Sequence, residues 1–242
     1  MSIENRFLIV PLRRNLSSFH SFTLEALMSK ILVLSGENHG FNASASIIHD
    51  FLSEEADISA TLTDDKGILA SAELNTYDAC VFGTGFTRTE RQADGSTARV
   101  SDLASAEQEG LFQFVNSGKG LVGIHGTAWW ISGQAMDLIG GASNWHPPGS
   151  TFTVHIEDSE HPTTQGVEDF DVEDEIYISA HDPHIHVLAS AEWFGKAHPM
   201  AWVKPYGSGR VFYTTLGHGP GTFERAGMQK FLTQGVKWAA AS

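Results

Sequence analysis

The sequence predicts an α/β fold in which helices cover both faces of a mainly parallel β-sheet. Strand and helix patterns alternate over residues 30–130, which favours right-handed crossovers between parallel strands. The segment 121–124 is short and apolar around one glycine, as is typical of a strand that is covered on both faces. A turn signature at residues 205–209 lies between two apolar segments and predicts an antiparallel hairpin near the C-terminus.

The individual elements follow from apolar periodicity and from turn residues. Asn42 is placed to cap a first helix, residues 105–108 have the form of a capping box for a second, and the apolar spacing of residues 223–238 predicts a C-terminal helix. The polar segment 88–99 and the glycine-rich segment 140–149 are predicted to be loops. The predicted strands cover residues 30–34, 58–62, 78–82, 121–124, 152–156, 199–203 and 210–215.

The first 28 residues differ from the rest of the chain. They carry a net charge of +1, from three arginines and two glutamates, whereas the whole chain carries −14. Their apolar patch is too short for a convincing signal peptide. We therefore predict a disordered N-terminal extension over residues 1–28 and one domain over residues 29–242.

Composition excludes several classes of partner. With 29 acidic and 15 basic residues, the chain lacks the basic surface that nucleic acids and anionic membranes require. No apolar run approaches the ~20 residues of a membrane span, and the single cysteine, Cys80, lies inside a predicted strand, as expected of a core residue. We expect a cytoplasmic protein with a small-molecule partner, and homo-oligomer formation is left open.

The turn around His125 is the best candidate for a functional position. Gly118 suits the left-handed residue that ends a helix, and a buried strand follows it. Gly123 and Gly126 bracket His125, which predicts a tight turn that holds the imidazole at the carboxyl end of the strand, where open α/β sheets bind ligands. Nucleophile elbows have a similar layout. The alternative is a capping or core histidine in an ordinary strand–helix turn.

Further side chains are expected at the same edge of the sheet. We predict a pocket with His125, His218 and Glu175 as catalytic residues, in which imidazole and carboxylate groups transfer protons. The residues predicted to bind substrate are His39, Gly85, Phe86, Trp129 and His146. No nucleotide cofactor is expected, because Gly83-Thr84-Gly85 lacks the third glycine of a dinucleotide loop.

Two or three imidazoles and a carboxylate also form a reasonable ligand set for a divalent metal such as zinc. The predicted ligands are His125, His146 and His218; the alternatives are a metal-free pocket and separately hydrogen-bonded structural histidines. The string 181–186 contains three more histidines and is either an independent metal site or a solvated turn.

The orientation of Glu175 depends on its strand. A predicted strand start at residues 174–177 sends Asp174 and Glu175 to opposite faces. We favour Glu175 as the residue that points into the site, and Asp174 can then cap a neighbouring helix.

Several sequence blocks occur in a characteristic order. They are GKGLVGIH at 118–125, GG at 140–141 followed by His146-Pro147, DSEHP at 158–162, DEIY at 174–177, HPMAW at 198–202, YGSGRVFY at 206–213 and LGH at 216–218. Together they resemble the ThuA-like (trehalose utilisation) domain family over roughly residues 30–240.

The resemblance implies a class I glutamine amidotransferase-like fold, a flavodoxin-like three-layer sandwich with a C-terminal β-hairpin and helix. Those amidotransferases carry a cysteine at the elbow, where this chain has His125, so glutamine hydrolysis should be absent; His218 matches the place of their histidine.

The same resemblance implies a role in the use of trehalose or a related keto-sugar. We therefore expect acid–base chemistry on a carbohydrate, of a hydrolase, isomerase or lyase type. The alternative is a non-catalytic sugar-binding or regulatory module on the same scaffold. An amide or ester hydrolase is disfavoured because no G-x-S-x-G nucleophile motif occurs.

Overall fold

The structure, a computed structural model, describes residues 28–130 and 132–241; the side chains of residues 129–135 and 144 lie outside that description. The predicted extension therefore falls on residues that are not described, apart from residue 28. The described strands are β1 Ser29–Leu34, β2 Ile58–Thr63, β3 Ala79–Phe82, β4 Thr87–Arg91, β5 Thr97–Ser101, β6 Gly120–Ile124, β7 Gly141–Trp145, β8 Ser150–Ile156, β9 Phe170–Asp174, β10 Ile178–His181, β11 His186–Trp193, β12 Lys196–Tyr206 and β13 Gly209–Thr214. The α-helices are α1 Phe41–Ser53, α2 Ser105–Asn116, α3 Thr127–Trp130, α4 Ser132–Ile139, α5 Pro220–Phe223 and α6 Ala226–Ala240.

A nine-stranded mixed sheet runs through the described residues in the order β2-β1-β3-β6-β13-β12-β11-β8-β9. The first five strands pair in parallel, as the strand–helix alternation predicts, and the remaining pairs are antiparallel. The predicted hairpin is β12–β13, and β13 also pairs in parallel with β6, with Thr214 opposite Ile124. This pairing places the carboxyl ends of β6 and β13 side by side.

Alternating side chains of the central strands pack against helices on both faces of the sheet. In β1, Ile31 and Val33 face the cluster that contains α1 and α6. Leu32 and Leu34 face the cluster that contains α2 and α4. All four side chains are fully buried, and burial of each contributes roughly 1.5–3 kcal/mol. Cys80 lies in this core, where burial raises the pKa of its thiol to about 12.

Two predicted loops contain strands. The segment 88–99 forms most of the hairpin β4–β5, which turns at Gly95 with φ +84°. The segment 140–149 contains β7, which pairs with β10. Both were missed because much of their sequence is polar or small, so the apolar alternation of a half-buried strand is absent.

Three local predictions were also wrong. The 174–177 segment is no strand start, since β9 ends at Asp174. Asn42 lies inside α1, whose N-cap is Gly40. The N-cap of α2 is Ala104, so only half of a capping box exists. The Glu107 carboxylate accepts a hydrogen bond from the Ala104 backbone N–H. The alanine side chain has no oxygen that could accept one from the Glu107 backbone N–H.

Candidate functional site

His125 follows β6 in a left-handed conformation, with φ +46°. Its flanking glycines are not in that region; they are needed for close packing. A Cβ on Gly126 would lie 1.8 Å from Thr84 Cγ2, and one on Gly123 would lie 2.9 Å from Tyr213 Cδ2. The backbone strain is therefore on the histidine itself, as is common where a turn presents a functional side chain.

The hydrogen bonds of His125 define its protonation. Nδ1 donates to the Thr215 carbonyl oxygen at 2.7 Å, and the Tyr177 hydroxyl donates to Nε2 at 2.8 Å. Because the ring is buried, its pKa lies well below the ordinary value of 6.5. His125 is thus neutral, and the lone pair of its Nε2 accepts the proton of the Tyr177 hydroxyl.

His39 and His218 lie beside His125. His39, also left-handed with φ +61°, follows β1, and its Nε2 is 3.2 Å from Nδ1 of His218, which follows β13. The His218 ring centroid is 5.3 Å from that of His125. Partial burial, followed by the charge of His218, lowers the pKa of His39.

The buried Asp174 carboxylate holds the loop that carries His218. It accepts hydrogen bonds from the backbone N–H groups of Gly217 at 2.8 Å and His218 at 3.3 Å, and from the Thr222 hydroxyl at 2.6 Å. Burial raises the pKa of Asp174, and these donors oppose that shift. Asp174 therefore fixes the loop before α5 and the first turn of that helix.

Glu175 points into the site, in the direction favoured by the sequence. Its Oε1 lies 3.2 Å from Nδ1 of His218 and 3.4 Å from Nδ1 of His146. Its Oε2 lies 3.6 Å from Nε2 of His125. The predicted catalytic residues therefore share one cluster. Nδ1 of His146 donates to the Pro147 carbonyl oxygen at 2.9 Å. The His146 ring stacks on that of Tyr177.

The histidine set that could hold a metal differs from the predicted one. His39, His125 and His218 offer ring nitrogens that all lie within 4.8 Å of one another. Among the described residues, this is the group of side chains that is close enough together to share one metal ion. His39 thus takes the place predicted for His146. The string 181–186 is split instead: His184 pairs with Asp182, and His186 pairs with Asp158.

The donor set fits a cation. Nδ1 of His218 faces both Nε2 of His39 and a Glu175 oxygen, and a neutral imidazole nitrogen satisfies two such neighbours only by sharing a single proton. A divalent ion at this point would instead accept one lone pair from each of the neighbouring side chains, His39, His218 and Glu175. The other ring nitrogen of His125 donates to a backbone carbonyl, as the histidines that bind metals usually do.

We name the space above these residues the histidine cavity. Its volume is about 280 Å³, near the lower limit for small-molecule sites. Its lining comprises Asn38, His39, Thr84, Thr87, Arg88, Thr89, Arg99, Gly126, His146, Glu175 and Tyr177.

The remaining predicted contacts lie elsewhere. Phe86 is buried against Phe82, and Gly85 packs on Gly36; neither lines the histidine cavity. The side chain of Trp129 lies outside the described residues. Sequence reasoning missed Tyr177, although in an extended segment it shares a face with Glu175 two positions earlier. It also missed the arginines of β4 and β5, since their segment was taken for a loop.

No helix in the described part of the chain is both long and apolar enough to cross a membrane.

No curated protein matches the chain at a significant level. Many solved structures share its fold, among them the following three. A ThuA-like protein from Bacteroides uniformis ATCC 8492 has a TM-score of 0.70 at 18% identity, over 92% of this chain and 95% of that one. A ThuA-like protein from Parabacteroides merdae ATCC 43184 has a TM-score of 0.69 at 17% identity, over 88% and 90%.

The third, a cytoplasmic protein from Salmonella typhimurium LT2, has a TM-score of 0.57 at 15% identity, over 87% of this chain and 99% of that one. The family model described as trehalose utilisation, ThuA, matches residues 30–239. That match covers almost all of the described residues. It includes the histidine cluster, by which we mean His39, His125, His218 and Glu175. The chain belongs to the ThuA family.

Proposed function

We propose that this protein is an enzyme of carbohydrate utilisation that acts on a sugar by acid–base chemistry in the histidine cavity. The observation that carries the proposal is the convergence of His39, His125, His218 and Glu175, which come from four separate loops. Structural histidines would be satisfied by individual partners. Here, His218 has two polar neighbours at one nitrogen, and two of the four residues have left-handed backbones.

Glu175 is the proposed proton acceptor. Its carboxylate is largely enclosed and touches three imidazoles, so it can take a proton from a sugar hydroxyl, or from a carbon beside a sugar carbonyl. Where the histidines hold no ion, the exposed His218 can pass that proton to solvent. Tyr177 is the proposed hydrogen-bond acceptor from a sugar hydroxyl, because its hydroxyl donates its one proton to Nε2 of His125 and its oxygen can still accept.

We further propose that His39, His125 and His218 bind a divalent metal such as zinc. Three histidines with one open position are a common ligand set of catalytic zinc. The ion would polarise a carbonyl or hydroxyl oxygen of the sugar. The neutral state of His125 supports this role, because an ion that displaced the Tyr177 hydroxyl from Nε2 would find a lone pair there.

The finer expectations remain part of this proposal. They are trehalose or a keto-sugar as substrate, a cytoplasmic location, a flavodoxin-like sandwich related to class I glutamine amidotransferases, and no glutamine hydrolysis. Family membership supports the sugar, and the histidine at position 125 supports the loss of amidotransferase chemistry.

The test combines metal analysis with a turnover screen. Purified protein is measured for bound metal and incubated with trehalose and a panel of keto-sugars, followed by NMR. His39→Ala, His125→Ala and His218→Ala should lose the metal, and Glu175→Gln should keep the fold and lose turnover by about 10²-fold or more. His184→Ala is the matched control, since His184 is exposed and pairs with Asp182.

Unchanged turnover in His125→Ala and His218→Ala would refute the assigned roles. Saturable sugar binding with no chemical change would support the non-catalytic module instead. Full activity after complete removal of metal would leave acid–base catalysis and remove the metal from the proposal.

A further inference from the structure

The hairpin β4–β5 contributes two arginines to the histidine cavity, in a chain whose net charge is −14. Arg99 in β5 lies directly across the hairpin from Thr89 in β4, and both line the cavity. The hairpin therefore forms a polar, cationic wall of a site whose other charged group is Glu175.

Arg88 has a structural task in this wall. It donates to the carboxylates of Asp102 and Glu90. The other oxygen of Asp102 accepts from Asn38 Nδ2 at 2.7 Å, next to His39. These bonds connect the base of the hairpin to the loop of the histidine cluster and balance the charge of Arg88 locally.

Arg99 lines the same cavity as His39 and Glu175, so its positive charge lies beside any molecule that occupies that cavity. A guanidinium offers a planar set of N–H donors that matches a carboxylate or a phosphate.

A second, independent observation points to a ligand. Thr84 is 5% exposed, lines the histidine cavity, and has a hydroxyl without a hydrogen-bond partner among the described residues. Buried hydroxyls in folded proteins are normally hydrogen-bonded. This oxygen has almost no exposed surface, so a polar group of a bound molecule would become its partner once the Thr84 side chain turns towards the cavity.

We propose that the sugar bound in the histidine cavity carries an anionic group, a carboxylate or a phosphate, which Arg99 binds while the Thr84 hydroxyl contacts the same molecule. This inference rests on the proposed function and specifies its substrate class as sugar acids or sugar phosphates, in preference to trehalose, which carries no anionic group. The anionic group lies at the hairpin wall, and the reacting sugar carbon faces Glu175 and the histidines.

The test is binding of matched sugars to the full chain, measured by calorimetry at low and high salt. The probes are glucose, glucuronate and glucose 6-phosphate, with the corresponding galactose and mannose series. We expect at least one anionic sugar to bind about tenfold or more tightly than its neutral parent. The carboxylate and phosphate arms identify the anionic group.

Arg99→Gln should remove most of this preference, and Arg99→Lys should restore only part of it, because lysine lacks the planar donor set. Arg91→Gln is the matched control: it makes the same charge change in the same hairpin, at an exposed residue that does not line the cavity. Circular dichroism checks that each variant is folded.

Three outcomes would overturn the inference. Neutral sugars that bind as tightly as both anionic forms would refute it alone and leave the proposed function standing. An equal loss in Arg91→Gln and Arg99→Gln would show a general charge effect in place of a site. Binding of none of the sugars, with metal content unaffected by His125→Ala, would refute both this inference and the proposed function.

Discussion

His125 adopts a left-handed backbone conformation, whereas the glycines on either side of it, Gly123 and Gly126, do not. The sequence correctly indicated a tight turn with an inward imidazole, but assigned the conformational freedom to the glycines. In the structure, Gly126 is required because Thr84 packs where its Cβ would be. Thr84 and Gly126 both line the histidine cavity.

Gly126→Ala should therefore destabilise the fold through overpacking. The new methyl group would meet Thr84 Cγ2 at 1.8 Å and Thr84 Cβ at 2.9 Å, so Thr84 must move. We expect a loss of about 1–3 kcal/mol in the free energy of unfolding, measured in urea. Gly221→Ala is the control, since its Cβ meets nothing within 4 Å, and it should be neutral or slightly stabilising. Equal stability of the two variants would contradict this explanation.

Asp182 provides a test of pH-dependent stability away from the site. The backbone N–H and then the imidazole of His184, together with the Lys204 ammonium, lower the pKa of its carboxyl from 3.8 to about 2. Folding therefore favours the ionised form, and the stabilisation is fully present above the unfolded pKa. It is lost as the pH falls from 3.8 towards about 2.

Asp182→Asn should lower the melting temperature at pH 7, and the difference from the native chain should shrink below about pH 4. Thermal unfolding over a pH series measures it. Asp64→Asn, which makes the same charge change at an exposed residue, should show a smaller effect. A difference that persists at pH 2 would show that Asp182 stabilises through something other than its charge.

The start of α2 shows how an element can be located from a sequence while its chemistry is misassigned. The pattern Ser105-x-x-Gln108 predicted Ser105 as the capping residue. The structure puts the cap one residue earlier, at Ala104, whose backbone is extended. The alanine side chain has no oxygen that could accept a hydrogen bond from the first turn of the helix. Such one-residue errors are common at helix ends, because several cap positions fit the same apolar pattern.

Ala104→Ser should complete the capping box and raise the free energy of unfolding by about 1 kcal/mol, since the new hydroxyl can accept from the Glu107 backbone N–H. Ser105→Ala is the paired variant. It should change stability by less than about 0.5 kcal/mol, because Ser105 is an exposed residue of the first turn. Urea midpoints distinguish the two. A full cap-sized loss in Ser105→Ala would contradict the assigned boundary.

Across the whole molecule, the parallel strands and both helix layers were predictable because their apolar residues repeat at strand or helix spacing. The convergence of His125 and His218 was also predictable, since both follow strands of the same sheet. The choice of His39 over His146 as the third histidine was not, because it depends on side-chain directions in two irregular loops. Arg99 was missed for a related reason: a polar hairpin has no apolar periodicity.

The sheet makes the histidine cluster a junction of segments that are distant in the chain, and metal binding should reveal this. His39, His125 and His218 follow β1, β6 and β13, so an ion held by all three would connect three strand ends. At one hundred times its dissociation constant, such an ion stabilises the native state by about 2.7 kcal/mol. Zinc added to chelator-treated protein should raise the melting temperature and slow amide hydrogen exchange chiefly at residues 37–40, 125–126 and 216–219.

His218→Ala should abolish both effects, whereas His184→Ala should retain them. Protection spread evenly over the sheet, or an undiminished zinc effect in His218→Ala, would mean that zinc binds elsewhere. Because this measurement needs no substrate, it separates the geometry of the site from the identity of the sugar. A positive result would show that these three strand ends act as one unit, which is the physical condition for any chemistry at this edge of the sheet.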